Sequence, residues 1–178
     1  MSVIEQLAES IGFNCMGTCD AKDLVAREEV RSMCAAGTCQ KYDRSWACPP
    51  ACGDIADFQK QMNEFGKCLV VQTVAQMEDD FDFETMEEAG ELQKRRVLDL
   101  VEAIEREGLS AETMVLSAGT CTLCAVCTYP DEPCRFPDKR LVSMEAAGLV
   151  VSEVCTLAGI PYNHGPQTMA YSGCVLYD

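Results

Sequence analysis

The sequence has one histidine and one tryptophan, and its 14 lysines and arginines face 29 aspartates and glutamates. Each scarcity removes a class of function. With a single imidazole, a Ser-His or Cys-His hydrolase would depend wholly on His164, which lies in the turn-rich segment from Pro161 to Pro166 with no carboxylate beside it. A net charge of -15 repels a phosphate backbone, so nucleic acid is not an expected partner. No run approaches the roughly 18 uninterrupted apolar residues of a membrane span. The N-terminal stretch carries Glu5 and Glu9 where a secretory leader would be basic. We therefore expect a cytoplasmic protein that neither enters nor crosses a membrane. A phosphate-binding glycine-rich loop and a nucleophile elbow are also missing. Cys15 and Cys19 begin a Cys-x-x-x-Cys-x-x-Cys spacing, but Lys22 stands at its third position. A chain of 178 residues is in any case too short for the barrel that radical-generating enzymes with that motif use.

What the sequence has in excess is cysteine, thirteen in all. The chain is long enough to bury a core without disulfide staples, and residues 1–178 are expected to form one domain. An odd cysteine count without a secretory leader argues against a disulfide framework, because the cytosol keeps thiols reduced. Metal coordination is the better reading.

Hydrophobic periodicity frames the cysteines with ordinary elements. Val3, Ile4, Leu7 and Ile11 predict a helix over 2–11 that stops at Gly12. Asp54 predicts the cap of a helix carrying Ile55, Phe58, Met62 and Phe65 and ending at Gly66. Strands are predicted over 68–75, 114–117 and 169–177. A long helix over 84–107 has Val97, Leu98, Val101 and Ile104 as its core stripe. A helical piece over 144–147 and a helix over 152–158 complete the pattern. The fold class is α+β, a small mixed sheet packed by helices, with two cysteine-rich loops. Residues 78–91 hold eight carboxylates and no base. They read either as a solvated helix start, where the dipole favours acids, or as a docking face for a basic partner.

The sharpest chemical signal is Cys121, Cys124 and Cys127 at successive i+3 steps, followed by Cys134. Three thiolates so spaced on a loop can wrap three corners of a 4Fe-4S cubane, and a remote fourth closes the last iron. Structural zinc more often takes two separated Cys-x-x-Cys pairs, and zinc is kept as the alternative. The earlier set, Cys34, Cys39, Cys48 and Cys52, is spaced more loosely and needs a loop that folds back, helped by Gly37 and the Pro49-Pro50 pair. It is a candidate second site, for which Cys15, Cys19 and Cys68 also compete as fourth ligand. Cys155 and Cys174 are expected to pack as small hydrophobes. Trp46, two residues before Cys48, is expected to shield a metal site from water.

Cys34 to Cys39, Tyr42, Cys48-Pro49-Pro50, the Cys121–Cys124–Cys127 run, Pro133-Cys134-Arg135, Pro137 and Ser143-Met144-Glu145-Ala146 together resemble a prokaryotic family of unknown function labelled predicted metal-binding proteins. The resemblance covers most of the chain from about residue 30 onward. It implies metal binding by these cysteines, and the anaerobic, cluster-rich settings of the family suggest iron-sulfur chemistry. Cys15, Cys19 and Cys52 depart from the pattern. The expected function is that of a cytoplasmic electron-transfer protein holding one or two 4Fe-4S clusters, acting with a redox partner that has a basic docking face. A zinc-binding structural or adaptor protein, and a cluster-dependent enzyme with an open iron, are the alternatives.

Overall fold

The computed structural model describes residues 1–36 and 39–178; Gly37, expected to help the first cysteine loop fold back, lies outside them. In chain order the elements are α1 (Val3–Ile11), β1 (Cys15–Asp20), α2 (Glu28–Ala35), α3 (Ile55–Met62), β2 (Lys67–Gln76), α4 (Phe83–Arg106), β3 (Met114–Ser117), β4 (Val142–Ser143), α5 (Val151–Leu157) and β5 (Thr168–Tyr177). The five strands form one mixed sheet in the order β1-β2-β5-β3-β4, antiparallel throughout except for the β3–β4 pair. The α+β expectation holds.

The central strands are buried on both faces, and side-chain alternation sorts their residues into two cores. Cys68 and Val70 of β2, with Cys174 and Leu176 of β5, pack among Phe58, Met62, Leu149 and Val154. Leu69, Val71, Val175 and Tyr177 point the other way, into Ile4 and Ala8 of α1 and Val97, Leu100 and Ile104 of α4. Helix α1 starts with a capping box, in which the Ser2 amide donates to Glu5 Oε2 at 2.8 Å and the Glu5 amide donates to Ser2 Oγ at 3.2 Å. The Tyr177 hydroxyl then donates to Glu5 Oε1 at 2.9 Å, tying the first helix to the last strand. Gly17 of β1 takes the end of α5 at close range: a Cβ there would stand 2.3 Å from the Ala158 carbonyl oxygen.

Three sequence expectations change. The segment 144–147 is not a helix but a turn directly after β4, held by bonds from the Ala147 amide to Ser143 O and the Leu149 amide to Met144 O. Helix α3 ends at Met62, and Phe65 packs on the core from the following turn. Cys15 and Cys19, grouped with the loop cysteines by sequence, lie in strand β1.

What positions the site is the parallel β3–β4 pair. A parallel pair requires a crossover connection of a dozen residues or more, and here the crossover is residues 118–141, the second cysteine loop. Both strands end on the same side of the sheet, where the Met144 amide donates to Ser117 O at 3.0 Å. The first cysteine loop, between α2 and α3, folds onto that same end.

Candidate metal centre

Cys121, Cys124, Cys127 and Cys134 line one small hollow, together with Ser45, Trp46, Leu123, Phe136 and Arg140. The four cysteines of the second loop are thus brought around one hollow. The first loop supplies the lid. The Trp46 indole N–H donates to the Glu132 carbonyl at 3.0 Å, its ring meets Tyr129 edge-on at 4.9 Å, and the Tyr129 hydroxyl bonds Asp43. Trp46 therefore stands against the second loop, beside the four cysteines.

At one of these sulfurs, Cys127, the surroundings favour the thiolate. At Cys127 burial works against the charged form, but the amides of Trp46, Tyr129 and Thr128 and the Ser45 hydroxyl face the sulfur, and together they hold its pKa below the ordinary thiol value. Arg140 reaches the wall with its Nε buried and without a hydrogen-bond partner among the described residues. An orphaned guanidinium donor beside four sulfurs suits an anionic, sulfur-rich occupant.

The first set opens onto a different space. Cys34, Cys39 and Cys48 line a pocket of about 530 Å³ with Val30, Met33, Tyr42 and Glu145 on its wall. Burial raises the Cys34 pKa, and the neighbouring charges of Cys39, Glu145 and Cys48 raise it further, while Arg31 opposes them. Cys48 is raised chiefly by burial, offset in part by a contact of 3.2 Å between its Sγ and Thr120 Oγ1. Cys52 lies below the pocket, in the core. Its sulfur accepts from Arg31 Nη2 at 3.6 Å, and burial again raises the pKa while Arg31 lowers it.

The remaining cysteines and the histidine sit elsewhere. Cys19 and Cys68 are cross-strand neighbours, and Cys68 also contacts Cys174, making a buried row of thiols across β1, β2 and β5. Cys155 lies beside Ser172 and the fully buried Gln72, whose Nε2 bonds Ser172 Oγ at 3.1 Å and the Pro161 carbonyl at 3.2 Å. His164 Nε2 pairs with Gln72 Oε1 at 3.0 Å, so the sole imidazole belongs to this polar cluster under the sheet. Cys155 and Cys174 are buried, as their predicted packing role requires.

A family model described as predicted metal-binding protein (DUF2284) matches residues 17–177. The chain belongs to this family. Neither a curated protein nor a solved structure gives a significant match. For a member of a metal-binding family, the donor chemistry is informative: soft thiols dominate both sets, the ligand type that selects zinc, copper(I) or iron-sulfur clusters. Among the described residues, no three His, Cys, Asp or Glu side chains converge where they would hold a single metal ion. Arg140, Thr120, Ser45 and Glu145 were not picked out by sequence, since their place at the sites depends on contacts between distant segments; the Ser-Met-Glu-Ala run and its position after Pro-Cys-Arg were the available hints.

Proposed function

We propose that this member of the metal-binding family is an iron-sulfur protein that holds a 4Fe-4S cluster on Cys121, Cys124, Cys127 and Cys134 and a second cluster on the set beginning Cys34, Cys39 and Cys48, and that it carries single electrons to or from a partner enzyme. The observation that carries the reading is the gathering of four thiols around one hollow whose other donors, the amides at Cys127 and the free Nε of Arg140, all favour negative sulfur. When bound, such a cluster supplies one-electron redox chemistry at a potential tuned by charge, hydrogen bonds and solvent access.

Each nearby residue has a part in that tuning. Trp46 and Phe136 line the hollow, Arg140 would place a positive charge beside the cluster, and the amides facing Cys127 favour its thiolate form. Thr120 bridges the two sets, since its hydroxyl meets Cys48 and its own chain continues into Cys121. An electron passing between the sites would cross that short span.

The partner is taken to be a redox protein with a basic docking face. Support comes from the segment before and within the start of α4, where Glu78, Asp79, Asp80, Glu84, Glu87, Glu88 and Glu91 are exposed around Phe81 and Phe83, which are 75% and 69% exposed and stack edge-on at 6.4 Å. Exposed aromatics within a single-sign rim are the composition of a recognition patch. Among the described residues no helix is long and apolar enough to cross a membrane. A chain with thirteen cysteines and iron-sulfur chemistry is best suited to a reducing compartment, and the cytoplasm is part of the proposal. Anaerobic purification with iron, zinc and acid-labile sulfide analysis tests the reading; zinc without sulfide supports the structural or adaptor alternative instead.

A further inference from the structure

The first cysteine set has three thiols on its pocket and a fourth group that sequence spacing does not supply. Cys52 is the nearest cysteine, but its sulfur is turned into the core and engaged by Arg31. On the pocket wall with Cys34, Cys39 and Cys48 stands a carboxylate, Glu145.

Its placement is unusual for the segment. Residues 142–149 are buried except for Glu145, the one side chain exposed there. The turn that presents it is fixed from three directions: the Met144 amide donates to Ser117 O at 3.0 Å, the Ala146 amide to Ser143 Oγ at 3.1 Å, and Arg31 Nε to Ala146 O at 2.9 Å. Arg31 lies one helical turn before Cys34 on α2, so the same residue holds the thiol and the carboxylate in one frame. Among the described residues no ion pair or side-chain hydrogen bond engages the Glu145 carboxylate. The carboxylate shares the pocket wall with Cys34, Cys39 and Cys48, where a cation would be held by both donor types.

Resting on the cluster reading above, we propose that Cys34, Cys39 and Cys48 ligate three irons of the first cluster and that Glu145, not Cys52, ligates the fourth. A carboxylate is a harder donor than thiolate and holds a cluster iron less tightly. The pocket of about 530 Å³ in front of it leaves this corner open to exchange. The fourth iron is therefore the labile one, and a small oxygen-donor ligand entering the pocket would bind there.

The test uses the full chain, reconstituted anaerobically and then treated with ferricyanide. One electron passes to ferricyanide, one ferrous ion leaves, and a three-iron cluster with half-integer spin remains. The wild-type protein is expected to give this signal at about one per chain and to lose it when dithionite supplies one electron and added ferrous ion re-enters the vacant corner. Glu145→Cys should abolish the signal, Glu145→Ala should speed iron loss to a chelator about tenfold, and Cys52→Ala should change neither. A wild-type protein without the three-iron signal, or a signal indifferent to Glu145→Cys, or one that arises only after Cys52→Ala, overturns the assignment while the cluster reading stands. Absence of acid-labile sulfide from the reconstituted wild type overturns both.

Discussion

Cys48 Sγ lies 3.2 Å from Oγ1 of Thr120, the residue that immediately precedes Cys121. A thiol of the first set thus touches the chain of the second, although the two loops are far apart in sequence. The contact exists because β3 and β4 run parallel: the crossover between them starts at Ala118, at the sheet end onto which the first loop folds. The two proposed clusters are neighbours by topology.

That hydroxyl should be measurable in the redox behaviour of the first cluster. Thr120→Val removes one hydrogen-bonding group from Cys48, and a bond of about 1 kcal/mol corresponds to roughly 40 mV for one electron. Redox titration followed by electron paramagnetic resonance should find one couple moved down by about that amount and the other unmoved. Two unmoved couples would mean that Thr120 does not tune the cluster.

Arg140 is expected to matter through its charge. Arg140→Met should weaken retention of the Cys121–Cys134 cluster about tenfold against a chelator, in the range seen for outer-shell partners of metal sites. Arg140→Lys should recover part of the loss. Equal retention in all three proteins would remove the orphaned Nε from the account.

The packing cysteines provide the control for the ligands. Cys174→Ala is expected to lower the melting temperature without altering iron per chain, since its sulfur belongs to the buried row with Cys68 and to the core around it. Cys124→Ala should do the reverse, halving the iron content. If Cys174→Ala also removed about half the iron, the division of the thirteen cysteines into ligands and packing residues would be mistaken.

Gly17→Ala tests the fold independently of any metal. The added Cβ would meet Ala158 O at 2.3 Å and Ile160 Cγ2 at 2.6 Å, so α5 must shift away from β1. Overpacking of this kind costs about 1–3 kcal/mol, a fall of roughly 2–12 °C for a chain of this length. Thermal denaturation followed by circular dichroism measures it, and an unchanged midpoint would show that α5 yields freely.

The acidic segment can be tested with a basic cytochrome c as electron acceptor. Charge reversal at Glu87, Glu88 and Glu91 should slow reduction of the cytochrome, and the difference from wild type should shrink as salt screens the field. Rates that coincide at low salt would discard the docking face.

The elements that sequence located well are those with a clear period and a clear stop. Helix α1 ends at Gly12, with φ of 86°, and the long α4 and strands β2, β3 and β5 appear within a residue or two of their expected limits. Strand β1 went unread because its Cys-Met-Gly-Thr-Cys-Asp sequence lacks β-branched alternation and its cysteines suggested ligands. Helix α2 was hidden for a related reason: Val30 is its one buried residue, so no apolar stripe announces it. The segment after β4 has a helical composition, but Gly148, with φ of 87°, closes it within one turn. At the sites, the grouping of Cys121, Cys124, Cys127 and Cys134 around one hollow was legible because the four are local in the chain. Thr120, Arg140 and Glu145 were not, because a residue's approach to Cys48, to the hollow or to Cys34 is a property of the crossover and not of neighbouring letters.

The most direct measurement is iron, zinc and acid-labile sulfide per chain in anaerobically prepared protein, with unpaired spins counted after reduction. Two clusters predict about eight irons, about eight sulfides and two reducible spin systems per chain. A colourless protein with stoichiometric zinc, no sulfide and no spin signal would contradict the account.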